Sequence, residues 1–322
     1  MQESARPARP HVPASRGPLT GIAFKIGSVL IFLVMSSLLK ASDGVPAGEL
    51  AFFRSFFAIF PVVAFLAWRG ELGVGVRTRY PFGHFWRGLA GTGGMMFGFF
   101  ALTKLPLPEA VTINYATPLI IVALSAMFMG EIVHAYRWSA VVVGLCGVII
   151  IAWPRLTLLS TGLSNDTGIG ALSALAGCMC AAIAMVQVRR LVQTERSATI
   201  VFYFSVSSTL ISLCTSPFGW VMPVGAQWMY LIGAGIAGGI AQILLTESYR
   251  HADMSVVAPF EYSSLIFSLA IGYLFFGDVP TIFMLVGGVI VVGSGLFIIY
   301  REHRLGLDQA RGPVREVVTP QG

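Results

Sequence analysis

Apolar residues run in ten blocks, each close to the length that crosses a bilayer, and polar residues collect in the short gaps between them. The blocks fall at about 20–40, 50–68, 86–104, 109–129, 136–153, 168–188, 198–217, 227–248, 255–276 and 281–300. A hydrocarbon core of roughly 30 Å asks for about 20 helical residues, so each block predicts one transmembrane span. The stretch from Ser197 to Thr246 carries no charge at all. Pro217, Gly219, Pro223 and Gly225 interrupt it, which predicts a turn between two spans.

The same plan occurs twice. Residues 17–154 and 168–301 share it at an offset of 147 to 149 positions. Gly21 falls on Gly170, Phe53 on Phe202, Gly91 on Gly238, Tyr115 on Tyr262, Gly130-Glu131 on Gly277-Asp278 and Gly147 on Gly295. Five spans per copy is an odd number, so the second copy starts from the opposite side of the membrane. The predicted fold class is an all-α membrane protein of ten transmembrane helices in two inverted five-helix repeats, 19–154 and 168–301. Carriers built this way hold their site between the repeats. The flanks 1–18 and 302–322 lack apolar periodicity and are expected to be disordered cytoplasmic arms. No small-residue cleavage site stands near the first span, so no removable signal peptide is expected.

Composition narrows the class. Of 322 residues, 56% are hydrophobic and 11% charged, and the mean hydropathy is +0.78. A soluble globule of that composition would lack polar surface. The 21 lysines and arginines are distributed unevenly. Lys40, Lys104 and Arg155 lie in segments on one side, Lys25 and Arg54 lie inside spans, and the remaining sixteen fall on the side of the N-terminus. The positive-inside rule therefore puts both termini in the cytoplasm. The net charge of +6 reflects topology; with the basic residues spread over six segments, it implies no nucleic-acid partner.

Several motifs fail on context. Gly233-Ala-Gly235-Ile-Ala-Gly238 matches a dinucleotide fingerprint, but no strand precedes it; Gly235 and Gly239, like Gly94 and Gly98, read better as G-x-x-x-G helix contacts. Cys146, Cys178, Cys180 and Cys214 all fall within spans, and Cys178 and Cys180 diverge by about 200° around a helix, so no metal site is expected. No catalytic constellation, cofactor motif or ATP-binding loop is found.

What remains is the polar inventory inside the bilayer, where each charge needs a cavity or a partner. Lys25 lies in span 1, Arg54 in span 2, Asn114 and Tyr115 in span 4, Gln187 in span 6, Gln242 and Glu247 in span 8, Glu261 and Tyr262 in span 9. Lys25 and Glu247 are also near enough to an interface to snorkel, and Arg54 is also placed to pair with Glu49. Asn114-Tyr115 is followed by Pro118, and Glu261-Tyr262 is preceded by Pro259. Each repeat thus presents a polar residue, a tyrosine and a helix-breaking proline at matched depth, the pattern by which carriers free backbone groups for a site.

These residues resemble the drug/metabolite transporter superfamily, in particular ten-helix carriers with two EamA repeats. Tyr115-Ala-Thr-Pro118 running to Gly130-Glu131, and Glu261-Tyr262 running to Gly277-Asp278, carry the likeness. Asp278 stands where the family usually has Glu, and Leu265 where Pro118 has its match. The run Ala258 to Tyr262, with Gly238-Gly239-Ile-Ala-Gln242 and Glu247-Ser-Tyr249-Arg250, is similar to the bacterial subgroup of riboflavin importers and S-adenosylmethionine carriers. The resemblance implies a central cavity lined by spans 1, 3, 4, 6, 8 and 9, a peripheral pair of spans 5 and 10, and transport by facilitated diffusion or proton coupling. It also implies an inner-membrane location, a small-molecule substrate and no enzymatic activity. A homodimer is left open.

A secondary carrier is the leading reading; an intramembrane lipid-modifying enzyme would show clustered carboxylates or histidines at one face, and a channel would not saturate. Setting Lys25 and Arg54 against Glu247 and Glu261 gives a near-neutral pocket. With tyrosines 115, 203, 249 and 262, Phe97 and Phe260, and the amides of Asn114, Gln187 and Gln242, that pocket suits a flat heteroaromatic solute, riboflavin first and S-adenosylmethionine, an amino acid or another metabolite as alternatives. The topology is directly testable. Alkaline phosphatase fused after Gly44 should be active and after Arg77 inactive, and the opposite pattern refutes the orientation.

Overall fold

The computed structural model describes residues 18–75, 77–128, 135–153, 166–191, 195, 197–251 and 258–311. Among these there is no β-strand, and helices fill the ten predicted blocks. They are α1 (Pro18–Ala41), α2 (Ala47–Trp68), α3 (Pro81–Lys104), α4a and α4b (Leu107–Asn114, Ala116–Phe128), α5 (Ala135–Ala152), α6 (Asp166–Leu191), α7 (Ser197–Leu213), α8 (Gln227–His251), α9a and α9b (Ala258–Tyr262, Ser263–Ile271) and α10 (Ile282–Arg311). A one-turn helix, Leu72–Gly75, follows α2. Five of the spans are long and apolar enough to cross a membrane as single helices, and α7, at 17 residues, is a shorter apolar one.

Local chemistry sets the ends. Pro81 opens α3, where its missing N–H leaves no intrahelical bond unmade, so the helix begins five residues before the apolar block does. Gly277 ends span 9 in the left-handed region, φ 66°, a conformation that a side chain resists. At the other end of the chain, α10 continues to Arg311. The segment from 302 was expected to be disordered; its first ten residues are helical instead. Extending a helix already nucleated in the membrane adds one hydrogen bond per residue fixed, and the leucines and arginines there are good helix formers. Of the expected N-terminal arm, Pro18 is the first helical residue and 1–17 lie outside the described residues, as do Gly130-Glu131 and Arg155.

The inverted repeat is visible in which helices touch. α3 packs along α6, and its repeat-swapped counterpart, α8 along α1, packs as extensively. α2 with α8 is matched by α7 with α3, and α4 with α6 by α9 with α1. The pairs α2–α7, α5–α10 and α4–α9 are their own counterparts, and all three form.

Glycine decides how close the pairs come. A Cβ on Gly235 of α8 would stand 2.9 Å from the Phe53 carbonyl oxygen of α2, and one on Gly239 2.9 Å from that of Ala58. At the crossing of α3 with α6, a Cβ on Gly177 of α6 would meet the Gly94 carbonyl at 3.2 Å and the Gly98 nitrogen at 3.3 Å. The fingerprint-like run is thus helix-packing surface, since lipid offers helices no hydrophobic drive to associate and close backbone approach supplies it.

Polar contacts form two layers. At one end Lys40 binds Asp278 (3.2 Å), Lys104 binds Asp166 (2.7 Å), and Glu49 accepts from the Val221 N–H (2.9 Å). At the other, Arg69 binds Glu247 (3.3 Å), and Glu195 accepts from the Thr78 hydroxyl and the Arg79 N–H. Residues that ten crossings assign to one side meet only residues of that side in these contacts. Gly235→Ala should lower the thermal midpoint in detergent by the equivalent of about 1–3 kcal/mol of overpacking. Gly98→Ala, whose Cβ meets nothing within 4 Å, should leave the midpoint level or raise it slightly.

Candidate functional site

The two interrupted spans meet at the middle of the bundle. In span 4 the helix breaks at Tyr115, between α4a and α4b, because Pro118 has no N–H to give the carbonyl of Asn114 four residues earlier. In span 9 the interruption lies at the same depth but takes another form. Pro259 stands in a 3-10 turn, α9a, that passes into α9b at Tyr262, and a π turn, Gly272–Phe276, closes the span. Leu265 keeps its N–H, so α9b runs unbroken at the position where span 4 has its proline.

The tyrosines at the two breaks touch each other. Their rings meet edge to face, centroids 5.1 Å apart. The Tyr115 hydroxyl is hydrogen-bonded to Ser264, whose own hydroxyl donates to the Glu261 carbonyl at 2.7 Å. The Tyr262 hydroxyl lies where a side chain on Gly295 of α10 would have to be. Beside this hub, Lys25 of α1 forms an ion pair with Glu261. Lys25 is only 1% exposed, while Glu261 keeps about half of its side chain open. On the swapped side, the exposed Asn114 of α4 accepts from the Cys178 thiol of α6 at 3.7 Å.

The structure thus brings Lys25, Tyr115, Glu261 and Tyr262 together, with Asn114 one residue away. It does not bring the others to that point. Glu247 is held by Arg69 at the inner end, where a cavity of about 370 Å³ opens between α2, α7 and α8. Gln187 lines a second cavity with Arg79, Tyr80 and Arg190, between α3 and α6. The Gln242 carbonyl accepts from Thr246, and its side chain is half-buried on α8. Pro118 is exposed at the break it causes.

Two charge expectations need correction. Arg54 does not pair with Glu49: five residues apart on a helix they diverge by about 140°, and Glu49 is taken by the Val221 N–H. Nor is the polar interior near-neutral. Lys25 is matched by Glu261 and Glu247 by Arg69, which leaves Arg54; Arg87, counted among the loop cations, is inside α3. Sequence reasoning missed His84 by starting span 3 at residue 86, and Arg87 by counting the second residue of that span as a loop cation; Pro81 was the signal that would have moved the start. Several rings expected to sandwich a solute also engage protein, Tyr115 on Tyr262 and Tyr203 on His84 at 4.7 Å.

The arrangement is that of a membrane carrier: inverted repeats, broken helices meeting at mid-depth and a buried charge pair across them. The model of the EamA-like transporter family matches residues 17–153 and again 168–300. The chain belongs to this family; it is a multi-pass inner-membrane transporter of a small molecule and not an enzyme. It is 30% identical to the pseudopaline exporter CntI of Pseudomonas aeruginosa, over 85% of this chain and 93% of that one. Over 80% of its length it is 27% identical to the S-adenosylmethionine uptake transporter of Rickettsia felis, covering 84% of it. A riboflavin transporter of Rhizobium johnstonii is 28% identical across 94% of this chain and 95% of its own. One crystal structure, 21% identical, shares the fold with a TM-score of 0.64, covering 89% of this chain and 99% of its own.

The charge pair generates a prediction. Lys25→Met should lower the thermal midpoint less than Glu261→Gln, which takes a carboxylate from a lysine shut off from water. The double variant should recover most of the loss in a double-mutant cycle. Additive losses would mean that the two groups do not act as a pair.

Proposed function

We propose that this chain is a secondary carrier that moves a small organic metabolite by alternating access, with the two repeats rocking about the Tyr115–Tyr262 hub and the Lys25–Glu261 pair responding to solute or proton. The observation that carries this reading is the meeting of two interrupted spans at a charge pair between the repeats. In lipid, interrupted helices are kept where freed backbone groups line a path, and a deep ion pair marks a route for charge.

Riboflavin uptake is the specific reading that the sequence favours, and the likeness to a riboflavin transporter supports it. A second reading, a solute bearing a carboxylate or phosphate, is favoured by the two arginines left over in the charge balance. S-adenosylmethionine, named for another relative, bears a carboxylate. The homodimer belongs to the same proposal, and light scattering in detergent separates one copy from two. The uptake test uses a bacterium that neither makes nor imports riboflavin. Growth on micromolar riboflavin that Glu261→Gln reduces at least about tenfold, a change of roughly 1.4 kcal/mol, supports the first reading. No growth despite verified membrane insertion refutes riboflavin uptake.

A further inference from the structure

Arg54 on α2 and Arg87 on α3 converge on one aromatic ring. Their guanidinium carbons lie 5.8 and 3.6 Å from the centre of Phe204 on α7. Arg54 is 5% exposed. Its Nε, and the Nε and Nη1 of Arg87, are shut off from solvent without a hydrogen-bond partner. Beside them His84, 2% exposed, has neither ring nitrogen bonded. No carboxylate among the described residues pairs with either arginine. The acid in Coulomb range of His84 is Glu195, whose Oε1 is engaged by Thr78 and Arg79 at the inner end.

Position and space both mark this cluster as built. Arg54 is the eighth residue of α2, which starts at one face, and Arg87 the seventh of α3, which starts at the other. At 1.5 Å per residue they stand about 10.5 and 9 Å along their helices, well inside a roughly 30 Å core. Room for the two heads comes from two glycines that the repeat places in register. A Cβ on Gly238 would be 3.1 Å from Arg54 Nε, and one on Gly91 would overlap Arg87 and Phe204. The helices involved, α2 with α7 and α3 with α8, are exchanged by the repeat, so the cluster lies on the line about which the halves are related. The inner cavity also points here. Its walls include Val62, Val201 and Ile243, and the same three helices carry Arg54, Phe204 and Gly238 one to two turns deeper.

Two like charges without a counter-charge are among the costliest things a membrane interior holds, and such groups persist where something completes them. Guanidinium is planar, always charged and forked to match carboxylate or phosphate oxygens, while Phe204 fixes the two forks by stacking. We propose that Arg54 and Arg87, with His84, form the anion-binding subsite of this carrier and hold the carboxylate or phosphate group of the transported solute. The proposal rests on the carrier reading above and deepens its second form, because an uncharged flavin offers these groups no anionic partner.

The test reads binding, which needs no transport. Purified protein in an uncharged detergent, at ionic strength fixed with sodium chloride, is titrated with succinate and with inorganic phosphate while thermal unfolding is followed. A saturable rise in midpoint, on the order of 5 °C at a hundredfold excess over Kd, is expected with at least one of them and not with choline. Arg54→Gln and Arg87→Gln should abolish the rise, and Arg301→Gln, exposed on α10 just past its apolar block, should keep it. Without ligand the two glutamine variants should unfold at or above the wild-type midpoint, since one removes a buried and the other a half-buried charge that has no partner; a purely structural role would lower it. No response to either anion, or a response that survives both glutamine variants, overturns the subsite. So does stabilisation seen only in phosphatidylglycerol nanodiscs and not with soluble anions, which would make the occupant a lipid headgroup. Growth on riboflavin that survives Arg54→Gln, with no anion binding, overturns this inference and leaves the carrier standing.

Discussion

Inside a bilayer the backbone has no water to fall back on, so every interruption of a helix must be compensated within the protein. This constraint organises the centre of the molecule. Pro118 strands one carbonyl of span 4, and the chain responds by breaking the helix at Tyr115 and setting the neighbouring hydroxyls against span 9. Ser264 completes the exchange by bonding both Tyr115 and the Glu261 carbonyl. The two breaks share one polar cluster. Lys25 can then lie almost fully buried, because Glu261 is presented to it by the turn that Pro259 opens.

Two-fold repetition propagates the arrangement outward without making it symmetric. The close crossings of α3 with α6 and of α8 with α1 are equivalent, and glycines occupy corresponding roles in the packing of each half. The chemistry on the equivalent helices has diverged. Where the second repeat presents a carboxylate to an ammonium group, the first presents an amide to a thiol. Both arginines of the Phe204 cluster come from the first repeat. A solute would therefore meet a directional lining in which one half supplies most of the positive charge, although the scaffold treats the halves alike.

The spans were legible because an apolar block about 20 residues long has few alternatives in a membrane chain, and the repeat was legible because its landmarks are spaced almost identically. Their ends were less so: α3 starts on a polar, aromatic stretch that hydropathy alone discounts, and α10 outlasts its apolar block by ten residues. The polar residues of the hub were each visible, Lys25, Tyr115, Glu261 and Tyr262 alike. Their partnership was not, since Lys25 and Glu261 are 236 positions apart and nothing local pairs them. The same limit hid Arg87. Counted by sequence it was one more loop cation, and only packing against Phe204 shows it to be interior.

At the opposite end of the bundle from the inner cavity, the Lys40 ammonium donates to the Leu105 carbonyl while binding Asp278, and the same Asp278 oxygen accepts from the Leu107 N–H. Three helices, α1, α4 and α9, are thereby fastened through two side chains. None of the three can swing away singly without leaving a charge half-solvated beside its former partners. Motion at this face would therefore carry the three helices together, so that opening there would be concerted.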